Sequence, residues 1–127
     1  LPQISKELEK TNSSREFLIK NNREVIVNCS QAIIAIHKND LDSAKLNFPL
    51  KVRNLLSGDY FYPFGMNGKK KVSKYLKEKK ISVFDKDKVL ILETSKNKIV
   101  WVVGMRLDDR FSVTDNTKEI TKIELIR

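Results

Sequence analysis

A chain of 127 residues, 40% apolar and 32% charged, suits one globular domain or one domain plus an appendage, and it can bury roughly two-thirds of its unfolded surface. No apolar run approaches the ~18 residues of a membrane crossing, no signal-peptide pattern opens the chain, and the single cysteine, Cys29, excludes an internal disulfide. The net charge of +9 is concentrated: residues 51–88 carry eleven Lys/Arg against four Asp/Glu, whereas 1–50 and 89–127 each carry seven against six. Such a local excess favours a polyanion-binding face over generic solubility. The expected setting is cytoplasmic. Leu1 is not an initiator methionine, so the expectation is a processed chain or a piece of a longer one.

Residues 1–10 have sparse apolar positions, compatible with one or two helical turns. Residues 16–27 read as a hairpin. Phe17, Leu18 and Ile19 precede an Asn21-Asn22 turn, and Val25, Ile26 and Val27 follow it. Asparagine tolerates the positive φ that tight hairpin turns require. Cys29 lies among strand residues and reads as a small buried apolar group rather than a reactive thiol. Residues 32–36 are a further apolar, β-branched run, and 38–45 are a polar loop or a short helical turn.

Residues 50–53 alternate apolar and basic, as a half-buried strand does. Ser57-Gly58-Asp59 is a turn, and Gly65-Met66-Asn67-Gly68 is a second. Between them Tyr60, Phe61, Tyr62 and Phe64 surround Pro63. The pattern predicts a helix over 70–79, because Val72, Tyr75 and Leu76 fall at i, i+3 and i+4. A helix so short must dock that stripe on a sheet to be stable. Residues 89–92 and 99–103 form a second hairpin around Ser95-Lys96-Asn97-Lys98, and 120–126 alternate as a final strand. The fold class is α+β: a strand-dominated mixed sheet with hairpins and one short basic helix docked on it. Val72, Tyr75, Leu76, Val89, Ile91, Val100, Trp101 and Val102 are the predicted core.

The catalytic inventory is thin. His37 has no spaced acidic or cysteine partners and reads as a solvated or structural histidine. Gly65 and Gly68 lack the strand–GKS/T–helix context of a nucleotide phosphate loop. Asp108-Asp109, beside Arg106 and Arg110, reads as a turn with local ion pairs rather than a metal or acid–base pair, since adjacent side chains point apart. The rings at 60, 61, 62 and 64 either stack on unpaired bases or anchor a turn in the core. The lysines at 69, 70, 71, 74, 77, 79 and 80 face only Glu78. The candidate phosphate contacts are Arg53, Lys69, Lys70, Lys71, Lys74 and Lys77, positioned to hold a nucleic-acid backbone rather than to read bases.

The runs FPLKVRNLLSGDYFYPFGMNGKKKVSKYLKEKKI and IVWVVGMRLDDRFSVTDNTKEI resemble the C-terminal region of the bacterial tRNA(Ile)-lysidine synthetase family. Arg53 with Gly58-Asp59, the PFGM-NG-KKK turn, and the tryptophan hairpin ending in Gly104, Asp109, Arg110 and Phe111 carry the resemblance, which extends from about Ser14 to the end. It implies a parent ligase that uses ATP, with magnesium, to activate the wobble cytidine of a minor isoleucine tRNA. Lysine is then joined to carbon 2 of the base, which changes AUG reading to AUA. It implies that the chemistry resides in an N-terminal domain with an SGG-type phosphate loop, a loop this sequence does not contain. The matching part is implied to be the tRNA-binding domain, engaging the tRNA body and acceptor stem and similar to a module of the phenylalanyl-tRNA synthetase β subunit. The expected organisation is an N-terminal strand and hairpin segment, 1–47, linking to the catalytic part, and a tRNA-binding domain, 48–127. Expected partners are tRNA(Ile) and the catalytic domain of the same protein, with no membrane and with a homodimer as an open option. The alternatives are a structural module that braces the catalytic domain or a dimer, and a stand-alone enzyme using Asp108, Asp109 and His37.

Overall fold

The computed structural model of the chain describes residues 6–8, 15–20, 23–31, 40–86 and 88–126. The Asn21-Asn22 turn, the run 32–36 and His37 lie outside them. In chain order the strands are β1 (Lys6–Leu8), β2 (Arg15–Lys20), β3 (Arg23–Gln31), β4 (Asp40–Asp42), β5 (Leu50–Asn54), β6 (Tyr60–Phe61) and β7 (Lys70–Lys71), then β8 (Leu90–Glu93), β9 (Ile99–Val102), β10 (Arg106–Leu107) and β11 (Glu119–Ile126). Helices α1 (Val72–Glu78) and α2 (Val83–Lys86) lie between β7 and β8. Neither is long and apolar enough to cross a membrane.

The strands form a five-stranded sheet, β1-β5-β8-β9-β10, a four-stranded sheet, β2-β3-β11-β4, and the small ribbon β6-β7. Every pairing among the described residues is antiparallel. The single mixed sheet expected from sequence is therefore divided into antiparallel sheets. The two residues between β2 and β3 and the five between β8 and β9 are too few for a crossover, and a parallel pair needs one. Residues 6–8 are extended, not helical: they form an edge strand with Lys6 opposite Val52 and Leu8 opposite Leu50.

Strands β8 and β9 are buried along their whole length. A strand with both faces covered reads as a continuous apolar run, and LIL and IVWV do so. The register runs Ile91 to Val102 and Leu92 to Trp101, then skips to Glu93 opposite Ile99. Val100 is the extra residue of a β-bulge, so Val100 and Trp101 turn to the same face. There they meet Leu50, Val52 and Leu92, together with Val27, Leu41 and Ile123 of the four-stranded sheet. On the opposite face Ile91, Ile99 and Val102 pack against Phe61, Val72, Tyr75 and Leu76. Val27, Leu41 and Leu46 share one core with Leu50 and Val52.

A buried carboxylate pins the aromatic stretch after β6. Asp108 is 0% exposed. Its Oδ2 accepts from the Tyr62 backbone N–H at 2.9 Å and from Arg110 Nη2 at 3.0 Å, and its Oδ1 accepts from Arg110 N and Nε at 2.8 and 3.0 Å. Neighbouring backbone bonds run from Asp109 N to Tyr62 O at 2.7 Å and from Phe64 N to Leu107 O at 2.9 Å. The Asp108-Asp109 pair is thus split, with Asp108 inside the fold and Asp109 outside.

Two consequences are measurable by urea unfolding. Leu76→Ala and Trp101→Ala, at sites nearly closed to solvent, are expected to cost about 2–5 and about 3–5 kcal/mol respectively. Asp108→Ala is expected to cost about 1–3 kcal/mol, since it leaves the Tyr62 N–H and a half-buried Arg110 without their acceptor. A Leu76→Ala midpoint equal to wild type would overturn the docking of α1.

Candidate nucleic-acid interface

Helix α1 starts later than the periodicity predicts. Lys70 and Lys71 pair as β7 with Phe61 and Tyr60, and Lys71 stays extended at φ −66°, ψ 137°. The Val72 N–H then donates to the Asp59 carbonyl at 2.9 Å, which seats the first turn on the preceding loop. Val72, Tyr75 and Leu76 are buried, and Tyr75 meets Phe61 edge-to-face with ring centres 5.3 Å apart. At the far end Lys80 turns to φ +60°. Ile81 N donates to Leu76 O and Lys80 N to Lys77 O, both at 3.0 Å. This is the paired arrangement that closes a helix, and Ile81 packs back onto the core.

Docking one stripe decides where the charges go. Lys69, Lys71, Lys74 and Lys77 are exposed, as are Lys79 and Lys80. Lys71, Lys74 and Lys77 step by three along the chain and share one broad face. Lys69 Nζ lies 4.0 Å from the centre of the Tyr60 ring, a cation–π contact that holds it at the edge of this face. Lys70 differs: its ammonium pairs with Glu78. The hydrogen bond from Lys70, with the charges of Lys70 and Lys74, holds the Glu78 carboxyl below its ordinary range.

Arg53 does not join this face. It is 8% exposed. Its Nη1 and Nη2 bind Asp59 Oδ2 and Oδ1, both at 2.9 Å, and Nη2 also reaches Glu93 Oε2 at 3.1 Å. Burial opposes its charge, but the hydrogen bonds to Asp59 and Glu93 outweigh burial and raise its pKa. Alternation explains the correction. With Leu50 and Val52 committed to one core, Arg53 faces the other side of β5, where Glu93 lies on the neighbouring strand. Gly58, at φ +87°, makes the turn that returns Asp59 to Arg53. Arg53 thus holds the loop through Asp59 and is 8% exposed.

The four rings divide. Phe61 is core, Tyr60 and Phe64 are 42% and 49% exposed, and Tyr62 is half-buried beneath the Arg110 guanidinium, 4.4 Å from its ring centre. Arg110 and Lys98 are not among the sequence-nominated contacts. Both line a shallow cleft of about 100 Å³ with Gly58, Asp59, Tyr60, Asn97 and Ile99. The lone signal was an arginine two residues after a buried aspartate, and only the fold brings it beside the aromatic turn.

Comparison with known proteins follows the same geography. A family model described as the TilS substrate C-terminal domain matches residues 50–125. The tRNA(Ile)-lysidine synthase of Parabacteroides distasonis is 43% identical over 86 residues, 68% of this chain and 19% of that protein. That of Bacteroides thetaiotaomicron is 38% identical over 85 residues, 67% of this chain and 20% of that protein. That of Clostridium acetobutylicum is 28% identical over 124 residues, 94% of this chain and 26% of that protein. The chain thus spans about a fifth to a quarter of the length of these curated relatives. A crystal structure of a TilS C-terminal domain superposes with a TM-score of 0.77 at 20% identity, over 96% of each chain, and so shares the fold. With the family model covering more than half of its length, including the lysine helix, the aromatic turn and the bulged hairpin, the chain belongs to the TilS substrate C-terminal domain family.

Proposed function

We propose that this chain is the tRNA-binding domain of an ATP-dependent ligase that attaches lysine to the wobble cytidine of tRNA(Ile). In this reading ATP, magnesium and lysine are handled by the part of the relatives that this chain does not span, and the domain holds tRNA for that part. The observation that carries the proposal is the outward lysine face. Lys69, Lys71, Lys74 and Lys77 project from a docked helix and its entry turn, with Glu78 as the acid among them and already paired to Lys70. Ammonium groups on a rigid element suit backbone phosphates. The deep, narrow major groove of duplex RNA resists side-chain reading, so the contact positions tRNA rather than selecting bases. A second reading, a module bracing the catalytic domain, is supported by the exposed Leu56, Phe64 and Met66.

Titration of labelled tRNA(Ile) at several salt concentrations tests the proposal. Each of Lys71→Ala, Lys74→Ala and Lys77→Ala is expected to lower the salt slope by roughly one unit. The triple variant should lose most affinity while its unfolding midpoint stays near wild type. Unchanged affinity in the triple variant would move the binding face elsewhere. No binding by the wild-type chain would favour the bracing module.

Glu78→Gln gives an opposite test. It frees Lys70 and removes the acid from the face, so tRNA binding should tighten and the salt slope should steepen by about one unit. Weaker binding would mean that the Lys70–Glu78 pair shapes the face instead of masking it.

A further inference from the structure

The cleft beside the lysine face is built differently from it. Its floor is Ile99, 3% exposed. One wall is the Asp59-Tyr60 segment, the other is the Asn97-Lys98 turn, and Arg110 closes one side. The lysine face offers flexible ammonium groups. The cleft offers an exposed aromatic ring and a fixed guanidinium.

Arg110 is held in place from three directions. Its Nε and Nη2 donate to the buried Asp108 carboxylate at 3.0 Å each, and its plane lies over Tyr62. Its Nη1 has no partner among the described residues. Tyr62 in turn meets Tyr60 edge-to-face at 6.3 Å, and Lys69 sits at Tyr60. The charge of the lining acid is offset by Arg53. Both Asp59 carboxylate oxygens bind Arg53, and Oδ2 also accepts from the Leu56 N–H. The polar groups left for a ligand are therefore Arg110 Nη1, the exposed Lys98 ammonium and the Asn97 side chain.

We propose that this cleft takes one unpaired nucleotide of RNA, its base stacked on Tyr60 and its flanking phosphate held between Arg110 and Lys98. A stacked base needs a ring face; Tyr60 is 42% exposed, and with Lys69 over one face of the ring the base would take the other. A single phosphate needs pre-placed donors within the reach of one nucleotide, and Arg110 and Lys98 line the same small cleft. A duplex cannot use this site, because its bases are already stacked on one another. The inference rests on the reading of the domain as an RNA binder, yet it concerns different residues and a different RNA feature from the lysine face.

The test compares a short oligoadenylate with a blunt-ended RNA hairpin by fluorescence anisotropy, using this chain. Tyr60→Ala is expected to weaken oligoadenylate binding by about fivefold or more, the range found when a stacking ring is removed. Tyr60→Phe, which keeps the ring, should retain it. Lys98→Ala should weaken it further with a smaller salt slope. Lys98→Ala and Tyr60→Phe should not alter hairpin binding by more than about twofold, and Tyr60→Ala, which also releases Lys69, should cost the hairpin clearly less than the oligoadenylate. Tyr60 and Lys98 are exposed, so these variants are expected to fold. Arg110→Lys is the further variant, and it should lose oligoadenylate affinity while keeping a charge beside Asp108. Hairpin binding without oligoadenylate binding would overturn the cleft and leave the lysine face standing. Oligoadenylate binding that survives the lysine triple variant but fails in Tyr60→Ala would support the cleft, even if the tRNA reading failed. Equal losses of both probes in Tyr60→Ala would overturn a separate single-strand site.

Discussion

Neither face of the β8–β9 hairpin meets water, and the rest of the molecule is arranged to keep it so. A sheet covered on one side would have left Ile91, Ile99 and Val102 in solvent. The four-stranded sheet covers one face, and the ribbon β6-β7 with α1 covers the other. The second cover is small. A seven-residue helix has little stability of its own, and its position depends on three buried side chains. That dependence is also what gives it a function-bearing outer surface. Because Val72, Tyr75 and Leu76 admit one docking orientation, the lysines on the remaining faces cannot turn inward.

Fixing a helix on a sheet also requires fixing the loop that leads to it, and here buried charge does that work. Arg53, Asp59 and Glu93 form one cluster under the loop, and Asp108 with Arg110 forms another at its far side. Ion pairs of this sort add little net stability, because desolvation offsets much of the attraction. Their effect is directional. Each carboxylate also accepts backbone N–H groups, Leu56 for Asp59 and Tyr62 for Asp108, so the path of the chain on both sides of Tyr60 is set by acceptor geometry. The same clamps hold the ring of Tyr62 beneath Arg110 and leave Tyr60 outside.

The sequence was legible where periodicity and burial agree. The stripe of Val72, Tyr75 and Leu76 and the last strand were readable from their periods, and the two hairpins from paired apolar runs around polar turns. Legibility failed where a residue answers to two elements at once. Residues 6–8 are too few to show a period, and their state is set by pairing with β5. Lys70 and Lys71 look helical beside Val72 but are claimed by Tyr60 and Phe61. Arg53 resembles a surface cation in an alternating strand. Its burial follows from Glu93, forty residues away in sequence, and from a glycine turn that returns Asp59. Of the six sequence-nominated contacts, Lys69, Lys71, Lys74 and Lys77 lie on the surface, whereas Lys70 is tied to Glu78 and Arg53 is enclosed. The local sequence marks Arg110 as an ion-pair partner in the turn, but its place beside the aromatic stretch comes only when β10 and the turn after it close against Pro63.

The charge surplus of residues 51–88 becomes sharper once the fold is known. Of the acids counted there, Asp59 is engaged by Arg53 inside the fold, Glu78 is engaged by Lys70, and Asp85 bonds to Ser82 and lies 3.8 Å from Lys88. Each described acid of the segment thus sits beside a cation that is off the outer lysine face. Among the described residues no carboxylate forms an ion pair with Lys69, Lys71, Lys74 or Lys77, although the charge of Lys74 acts on Glu78. A charge census by sequence averages over partners that burial and pairing have separated. The local field at a surface depends on the charges that remain there, and here those are positive and carried on a helix that cannot rotate away. A polyanion meeting this face replaces solvent and counterions rather than competing acids. In the proposed reading this favours phosphate over base recognition at the lysine face and leaves the aromatic cleft to a different feature of the RNA.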